Sequence, residues 1–374
     1  MANKVLHLVS FDNPYPANYG GAIDVFYKIK ALKENGIQVI LHCFTKGDLT
    51  AHDELLKVVR TVNFYKTSTP YLSLFSAVPY SVMCRTNSEL LNNLKAIDAP
   101  ILFESLKTTY LVANHDLDQN KVFLRLHNNE ELYYKGLSKS ITNIFKKIVF
   151  FTEGVKFNKF NNFYKKYDQV FTLSQLETNY IKKYTSKVVY VPVFHGNKEI
   201  IPLSNRGKFC LYHGDLAIAD NLKVVQFLIK IFKSLPHINL VIASSKAEKK
   251  VKDWIGKTDN ITFQKLQSDE HLLQLFSQAH INIAWSFQPS GTKLKVINAL
   301  FKSRFSIINS NIVDDQRILD CCTLVHDMEE LKEAVDELMT KEYTKEIYNA
   351  RKINLLECLD DHANAEKLIS YLYN

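Results

Sequence analysis

The strongest constraint on the fold is an alternation of short apolar, β-rich runs with segments of helical periodicity, which occurs twice along the 374-residue chain. In the first half the apolar runs lie at 5–11, 37–44, 61–66, 100–105, 121–127, 168–174 and 187–193. In the second half they lie at 209–214, 238–244, 261–265, 280–286 and 304–309. Strands that alternate with helices form parallel sheets from βαβ units, so each half predicts one Rossmann-like domain.

A polar stretch with Gly and Pro at 194–208 separates the two halves, and we interpret it as an interdomain linker. The chain is also longer than one domain of ordinary size. We therefore expect an α/β protein with an N-terminal domain at 1–195 and a C-terminal domain at 196–358. The helical segment that ends the chain predicts a C-terminal helix at 359–374, which crosses back to pack on the first domain.

Composition narrows the function classes. The net charge of +8 comes mainly from lysine, which fits either a solubilising surface or a basic patch, and no nucleic-acid-binding motif accompanies it. The six cysteines show no metal-ligand or disulfide spacing, so we expect reduced thiols. No apolar run reaches the roughly 20 residues that span a bilayer, and the N-terminus does not resemble a signal peptide. We expect a cytoplasmic protein.

A dinucleotide-dependent dehydrogenase needs a GxGxxG loop after its first strand and an acidic residue at the end of the second. The first loop offers only Gly20 and Gly21, and the second strand ends in Cys43, Phe44 and Thr45. The sequence therefore argues against an oxidoreductase.

Five segments resemble the retaining family-4 glycosyltransferases in type, order and spacing, over nearly the whole chain. They are the first loop with Pro16, Gly20 and Gly21, then RLHNNEELYY (125–134), DQVFTLSQLE (168–177), YHGDLAIADN (212–221) and SGTKLKVINALF (290–301). The resemblance implies the GT-B fold, in which two Rossmann-like domains enclose an interdomain cleft. It also implies a nucleotide-diphosphate sugar donor in the second domain, an acceptor in the first, and retention of anomeric configuration.

The segment SGTKLKVINALF carries the most specific signal. A strand ends before it, and a helix is expected to begin near Thr292, so that free backbone amides beside Gly291 form an anion site. Lys293, expected in the first helical turn, would neutralise the diphosphate as the nucleotide leaves. An alternative is that Lys293 is merely a solvated loop residue. Lys295 is expected on a different face of the helix and is the second candidate for this role.

Two departures from the family affect donor recognition. Where the family resemblance implies two glutamates eight positions apart, this chain has Ser290 and Asn298, which can hydrogen-bond a sugar or ribose hydroxyl but bring no carboxylate. Where many members carry an arginine after the glycine of the first strand, Gly214 is followed by Asp215. A carboxylate repels a diphosphate, so Asp215 is expected in an exposed loop or on a sugar hydroxyl.

His127 ends the predicted strand 121–127 and therefore lies at the carboxyl edge of the first sheet. The resemblance implies that this histidine contacts the donor sugar or its phosphate, although a lone histidine is often structural. Glu130 begins the next helix, with a capping role as the alternative to a site role. Arg125 shares a strand face with His127 and is a candidate to pair with a carboxylate.

The pattern Asp116-Leu117-Asp118 has the form that other glycosyltransferases use to hold a divalent cation. It precedes a strand, at the sheet end opposite the expected site, so we expect no required metal and no other cofactor.

A last feature concerns the acceptor. The segment 135–167 carries eight lysines and one acid, interleaved with aromatic residues, which suits an anionic membrane surface. The alternative is that its aromatic residues pack on the first sheet.

The sequence as a whole predicts a glycosyltransferase that acts on a glycan or lipid-linked acceptor in cell-surface polysaccharide or glycoconjugate assembly. A sugar-nucleotide epimerase of the same fold and a non-catalytic scaffold are the alternatives.

Overall fold

The computed structural model describes residues 4–47, 49–69, 76–115, 117, 120–141, 143–203, 205–288 and 293–374. By their internal contacts these residues form two compact units. The first unit comprises 1–196 together with the C-terminal segment 359–374, and the second comprises 197–358.

The first unit is built on a parallel seven-stranded sheet with the order β3-β2-β1-β4-β5-β6-β7. Its strands are β1 (Val5–Ser10), β2 (Gln38–Thr45), β3 (Thr61–Lys66), β4 (Ile101–Glu104), β5 (Val122–Arg125), β6 (Gln169–Thr172) and β7 (Val188–Tyr190). Its helices are α1 (Gly20–Glu34), α2 (Asp53–Leu56), α3 (Tyr80–Met83), α4 (Ser88–Lys95), α5 (Tyr110–Asn114), α6 (Glu130–Ser140), α7 (Ile144–Phe160) and α8 (Gln175–Ile181).

The second unit is built on a parallel six-stranded sheet with the order β10-β9-β8-β11-β12-β13. Its strands are β8 (Phe209–His213), β9 (Leu240–Ser244), β10 (Ile261–Lys265), β11 (Ala279–Ala284), β12 (Phe305–Ile308) and β13 (Thr323–Leu324). Its helices are α9 (Ala219–Phe232), α10 (Glu248–Ile255), α11 (Asp269–Gln278), α12 (Leu294–Lys302), α13 (Gln316–Leu319), α14 (Met328–Thr340) and α15 (Lys345–Leu359).

Both sheets are parallel because their strands are apolar on both faces and are covered by helices on both sides. Strand β2 shows this clearly, since every residue from Val39 to Thr45 is buried. Strand order reverses between β1 and β4 in the first sheet and between β8 and β11 in the second. Ligands of open α/β sheets bind outside the carboxyl ends of the strands at such reversals.

The last helix, α16 (Asp361–Tyr373), returns to the first unit as the sequence predicts. Its Leu368 and Leu372 join the apolar cluster that contains Leu32 of α1, and the Tyr373 hydroxyl donates to the carbonyl of Val5 at 2.8 Å. The expected fold class is confirmed, and the sequence missed only the short edge strand β13 among the described strands. No helix in the described part of the chain combines the length and hydropathy needed to cross a membrane.

Candidate active site

In the first unit, residues that follow β1, β4 and β5 meet at the carboxyl edge of the sheet, where strand order reverses. The His127 Nε2 atom lies 2.7 Å from Glu104 Oε2. The ring of Phe11 packs edge-on against the His127 ring, with centroids 5.1 Å apart. A Cβ atom at Gly21 would lie 2.7 Å from Phe11 Cζ, so a larger residue there would displace Phe11. Gly20 begins α1, and Gly21 leaves the room in which Phe11 packs against His127.

A fully buried ion network lies directly under His127. Lys28 Nζ contacts Asp24 Oδ2 at 3.1 Å and Glu104 Oε1 at 2.8 Å. Arg125 binds Asp24 through two nitrogens at 3.1 and 2.9 Å, which confirms the expectation that it pairs with a carboxylate. Burial alone would raise the pKa values of Asp24 and Glu104, but the neighbouring cations outweigh burial and lower both. Glu104 therefore stays ionised and fixes the orientation of His127.

Asp24, Glu104 and His127 are close enough together to share a metal ion. The two carboxylates already bind the cationic side chains of Lys28 and Arg125, so their chemistry is that of an ion network. Both aspartates of the Asp-Leu-Asp pattern, at positions 116 and 118, lie outside the described residues.

Next to His127, the residue after β4 has a strained backbone. Ser105 has φ 69° and ψ 149°, a region that is essentially restricted to glycine and that marks functional sites when other residues occupy it. Its hydroxyl donates to Glu130 Oε1 at 3.2 Å, and Lys107 Nζ lies 3.0 Å from the same oxygen. The other oxygen, Glu130 Oε2, is buried without a hydrogen-bond partner among the described residues. Glu130 begins α6, but Asn129 supplies the capping oxygen.

Sequence reasoning missed Glu104, Lys28 and Ser105. Two signals were available for the first two residues. Glu104 is a carboxylate at the carboxyl end of an apolar strand, and Lys28 follows Asp24 by one helical turn on a face that is otherwise apolar. The strain at Ser105 has no signature in the sequence.

In the second unit, the residues that follow β8 and β11 form a separate site at the carboxyl edge of the sheet. The Lys295 ammonium donates to the Trp285 carbonyl at 2.9 Å and lies 5.3 Å from the centre of the Tyr212 ring. Burial and the nearby charge of Lys293 lower the pKa of Lys295 to about 8. Burial and the charge of Lys295 also lower the pKa of His213 to about 3. This edge thus holds a desolvated cation that a bound anion would stabilise.

The start of α12 differs from the expectation. The helix begins at Leu294 rather than near Thr292, and Lys293 is its extended N-cap residue instead of a first-turn residue. The Lys293 amide donates to the Ile312 carbonyl at 3.1 Å, which anchors the residue that precedes the helix. Ser290, Gly291 and Thr292 lie outside the described residues, so their site roles stay predictions.

The remaining predicted donor residues lie nearby. Asn298 accepts a hydrogen bond from Asn197 at 3.0 Å. Gly214 follows β8, where a Cβ atom would lie 3.4 Å from Asn221 and from the Tyr212 hydroxyl. Asp215 is exposed and its carboxylate accepts from the Ala217 amide at 2.9 Å, which matches the exposed-loop alternative for this residue.

Comparison with known proteins places this geometry in context. No protein-family model matches the chain. A relative from Klebsiella pneumoniae, described as an uncharacterized 44.6 kDa protein in the cps region, is 26% identical over 393 residues and covers 98% of both chains.

Solved structures match over almost the full length. Sucrose-phosphate synthase from Thermosynechococcus elongatus aligns with a TM-score of 0.69 at 14% identity and 98% coverage of both chains. TarM aligns at 0.70 with 9% identity, covering 100% of this chain and 99% of its own. WaaG, a glycosyltransferase involved in lipopolysaccharide biosynthesis, aligns at 0.64 with 12% identity, covering 99% of this chain and 100% of its own. At these identities the likeness shows the fold, and that fold is GT-B.

Proposed function

We propose that this protein is a glycosyltransferase that transfers a sugar from a nucleotide-diphosphate sugar to a glycan or lipid-linked acceptor, with retention of configuration. The observation that carries the proposal is the desolvated Lys295 ammonium beside Lys293, at the strand reversal of the second sheet. An anion site at this position of a GT-B fold suits a donor diphosphate.

In the second unit, Lys293 and Lys295 would neutralise the diphosphate, and the first-turn amides of α12 would donate to it. Neutralisation favours departure of the nucleotide, because negative charge develops on the leaving phosphate as the glycosidic bond breaks. We propose that Ser290, Gly291 and Thr292 complete this loop, that Asn298 binds ribose hydroxyls, and that Gly214 permits close approach of the donor. Asp215 would reach only a sugar hydroxyl.

In the first unit, His127 would contact the donor sugar or its phosphate. The 2.7 Å contact with ionised Glu104 places the proton on His127 Nε2 and leaves Nδ1 free to accept in the neutral tautomer. Glu130 is proposed as a second polar contact, because Ser105 and Lys107 hold its carboxylate at the same edge of the sheet as His127. The proposed reaction requires no metal or further cofactor.

Calorimetry with uridine and guanosine diphosphates, followed by turnover assays with a panel of nucleotide-sugars, tests this function. We expect one diphosphate to bind and one sugar donor to be consumed with release of its diphosphate. Interconversion of the sugar without release would indicate an epimerase, and absence of any diphosphate binding would indicate a scaffold. Lys230→Ala, at an exposed residue of α9, is the matched control for Lys293→Ala.

The proposed acceptor is carried by a membrane lipid at the inner face of the cell membrane, in polysaccharide biosynthesis. The relative described as a protein in the cps region supports a role in polysaccharide biosynthesis. Contact with a membrane is supported by a set of large apolar side chains on α7, each with 37–76% of its surface exposed. We call this set the α7 apolar face: Ile144, Phe145, Ile148, Val149, Phe151 and Val155.

The segment 135–167 divides into two parts with different environments. Phe157, Phe160 and Tyr164 are buried, as the packing alternative predicts. The α7 apolar face is instead exposed beside the exposed lysines Lys146 and Lys147. An apolar face flanked by cations is complementary to an anionic bilayer, where each lysine contributes about 1 kcal/mol.

Co-sedimentation with vesicles tests the membrane contact. We expect binding to anionic vesicles that fades with salt and is reduced more than tenfold by Lys146→Glu with Lys147→Glu. The matched control is Lys249→Glu with Lys250→Glu, at exposed residues of the second unit. If the wild-type protein ignores anionic vesicles at low salt, the acceptor is not reached through this face, whatever the outcome of the donor assays.

A further inference from the structure

The loop that follows β1 carries the aromatic contact to His127, and an arginine from a distant part of the chain holds this loop. Arg85 Nε donates to the Phe11 carbonyl at 3.0 Å, although the two residues are 74 positions apart. Arg85 Nη1 donates to the Ser81 carbonyl of α3 at 2.8 Å. One planar guanidinium therefore joins the loop after β1 to α3 through two backbone carbonyls.

Arg85 is a desolvated cation whose hydrogen bonds go to the backbone. Its side chain is half-buried, and in the described part of the chain it makes no ion pair with a carboxylate. Burial lowers the pKa of this guanidinium, and the more distant charges of Asp12 and Glu130 offset that effect only in part. Hydrogen bonds from a charged donor are among the stronger ones in proteins, so the two carbonyls stabilise Arg85 in this position.

The α3 end of this link is itself anchored. The Tyr80 amide at the start of α3 donates to Glu153 Oε2 of α7 at 2.8 Å. Glu153 is buried, and its other oxygen lies 3.2 Å from Lys156 Nζ. The backbone of α3 cannot shift without loss of this bond, so Arg85 ties the Phe11 carbonyl to an anchored element.

The Phe11 ring in turn confines the His127 ring. The two ring planes meet at 73° with their centroids 5.1 Å apart, while Glu104 Oε2 lies 2.7 Å from His127 Nε2. On the α1 side, a Cβ atom at Gly21 would lie 2.7 Å from Phe11 Cζ, so Phe11 fills the space that this glycine leaves. The ring of His127 is thus held by two contacts, since Glu104 fixes Nε2 and Phe11 limits rotation of the ring plane.

We propose that Arg85 is a positioning residue, which holds Phe11 against His127 and thereby keeps the histidine ring in one orientation. This inference rests on the proposed role of His127 at the donor, and Arg85 acts through Phe11 rather than by contact with the donor. Misplacement of a reacting group by about 1 Å can cost about a hundredfold in rate. We therefore expect Arg85→Met to lower kcat about ten- to a hundredfold and to leave the KM for the donor nearly unchanged.

A double-mutant cycle with Phe11→Leu tests whether the two residues act as one unit. If they do, the double variant loses no more activity than the weaker of the two single variants. Arg85→Lys keeps the positive charge, but a single nitrogen cannot occupy the positions of both Nε and Nη1, so we expect no recovery of kcat. Arg60→Met is the matched control, at an exposed arginine of the same unit that binds Gln38, and it should keep the wild-type kcat.

The proton NMR signal of the His127 ring tests the contact without any turnover, because an aromatic ring shifts the resonances of protons that lie beside it. The signal is assigned by its loss in His127→Ala. We expect it to move in Phe11→Leu, to move likewise in Arg85→Met and Arg85→Lys, and to stay in place in Arg60→Met. If Arg85→Met fails to fold, Arg85→Lys decides.

Three results would overturn the proposal: a His127 signal that stays in place when Arg85 is replaced, losses that multiply in the double variant, or recovery of the wild-type kcat in Arg85→Lys. A wild-type protein without transfer activity would instead contradict the proposed function. The NMR comparison would then still decide whether Arg85 positions His127.

Discussion

Replacement of Lys295 by methionine is expected to stabilise the second unit while it weakens nucleotide binding. The pKa of Lys295 falls from 10.5 to about 8 because of burial and the charge of Lys293. At about 1.36 kcal/mol per pKa unit, this fall corresponds to roughly 3 kcal/mol of unfavourable free energy for the charged form. Part of the side chain is solvent-accessible, and the variant loses the hydrogen bond to Trp285. We therefore expect a net gain of about 1–2 kcal/mol in the free energy of unfolding near pH 7.

The sign of the pH dependence follows from linkage. The pKa of Lys295 is lower in the folded protein than in the unfolded chain, so between about pH 8 and 10.5 the unfolded chain binds more protons. The penalty is complete below pH 8 and disappears as the pH rises through this window. The stability difference between Lys295→Met and wild type should therefore shrink over the same range.

Denaturant unfolding at pH 7 and pH 10 measures this difference, with the exposed Lys230→Met as the matched control. Calorimetry should show nucleoside diphosphate binding weakened by about 1.5–3 kcal/mol in Lys295→Met. A Lys295→Met protein that is less stable than wild type at pH 7, while Lys230→Met is unchanged, would refute the reasoning from burial.

Three further predictions concern residues at the carboxyl edges of the two sheets. Lys293→Ala should weaken nucleoside diphosphate binding by about 1.5–3 kcal/mol and leave the free nucleoside nearly unaffected, and equal diphosphate affinity by calorimetry would contradict its role. His127→Ala should lower turnover far more than stability, and an unfolded variant or an unchanged rate would show that the histidine is structural. Asp24→Asn should cost about 3–5 kcal/mol in denaturant unfolding, because it removes the paired carboxylate of buried Arg125 and leaves two buried cations, Arg125 and Lys28, with Glu104 as their one carboxylate in the network, and a loss below 1 kcal/mol would contradict the buried network.

Much of the fold could be predicted because its strands are buried on both faces. The run at 37–44 is apolar except for Gln38 and His42, and the structure has β2 at Gln38–Thr45. Strand β13 has two residues, Thr323 and Leu324, too few for a periodic signal. Helix α12 begins at Leu294 rather than near Thr292, and the contact between the Lys293 amide and the distant Ile312 carbonyl has no signature in the local sequence.

The site was harder to predict than the fold. His127 could be placed at a strand end from the sequence alone, but its partner Glu104 is 23 positions away. Arg125 and Asp24 are 101 positions apart, and only the folded sheet brings them together. The division of 135–167 also depends on tertiary packing, since Phe157 is buried while Phe145 is 76% exposed on the same helix.

The most direct test of the central claim is single-turnover transfer from the nucleotide-sugar whose diphosphate binds most tightly, with the lipid-extracted acceptor fraction of a polysaccharide-producing cell. The account predicts a glycosylated product with the anomeric configuration of the donor, stoichiometric release of the nucleoside diphosphate, and loss of both in Lys293→Ala but not in Lys230→Ala. Tight diphosphate binding without transfer to any acceptor or to water, or identical rates in the two lysine variants, would contradict it.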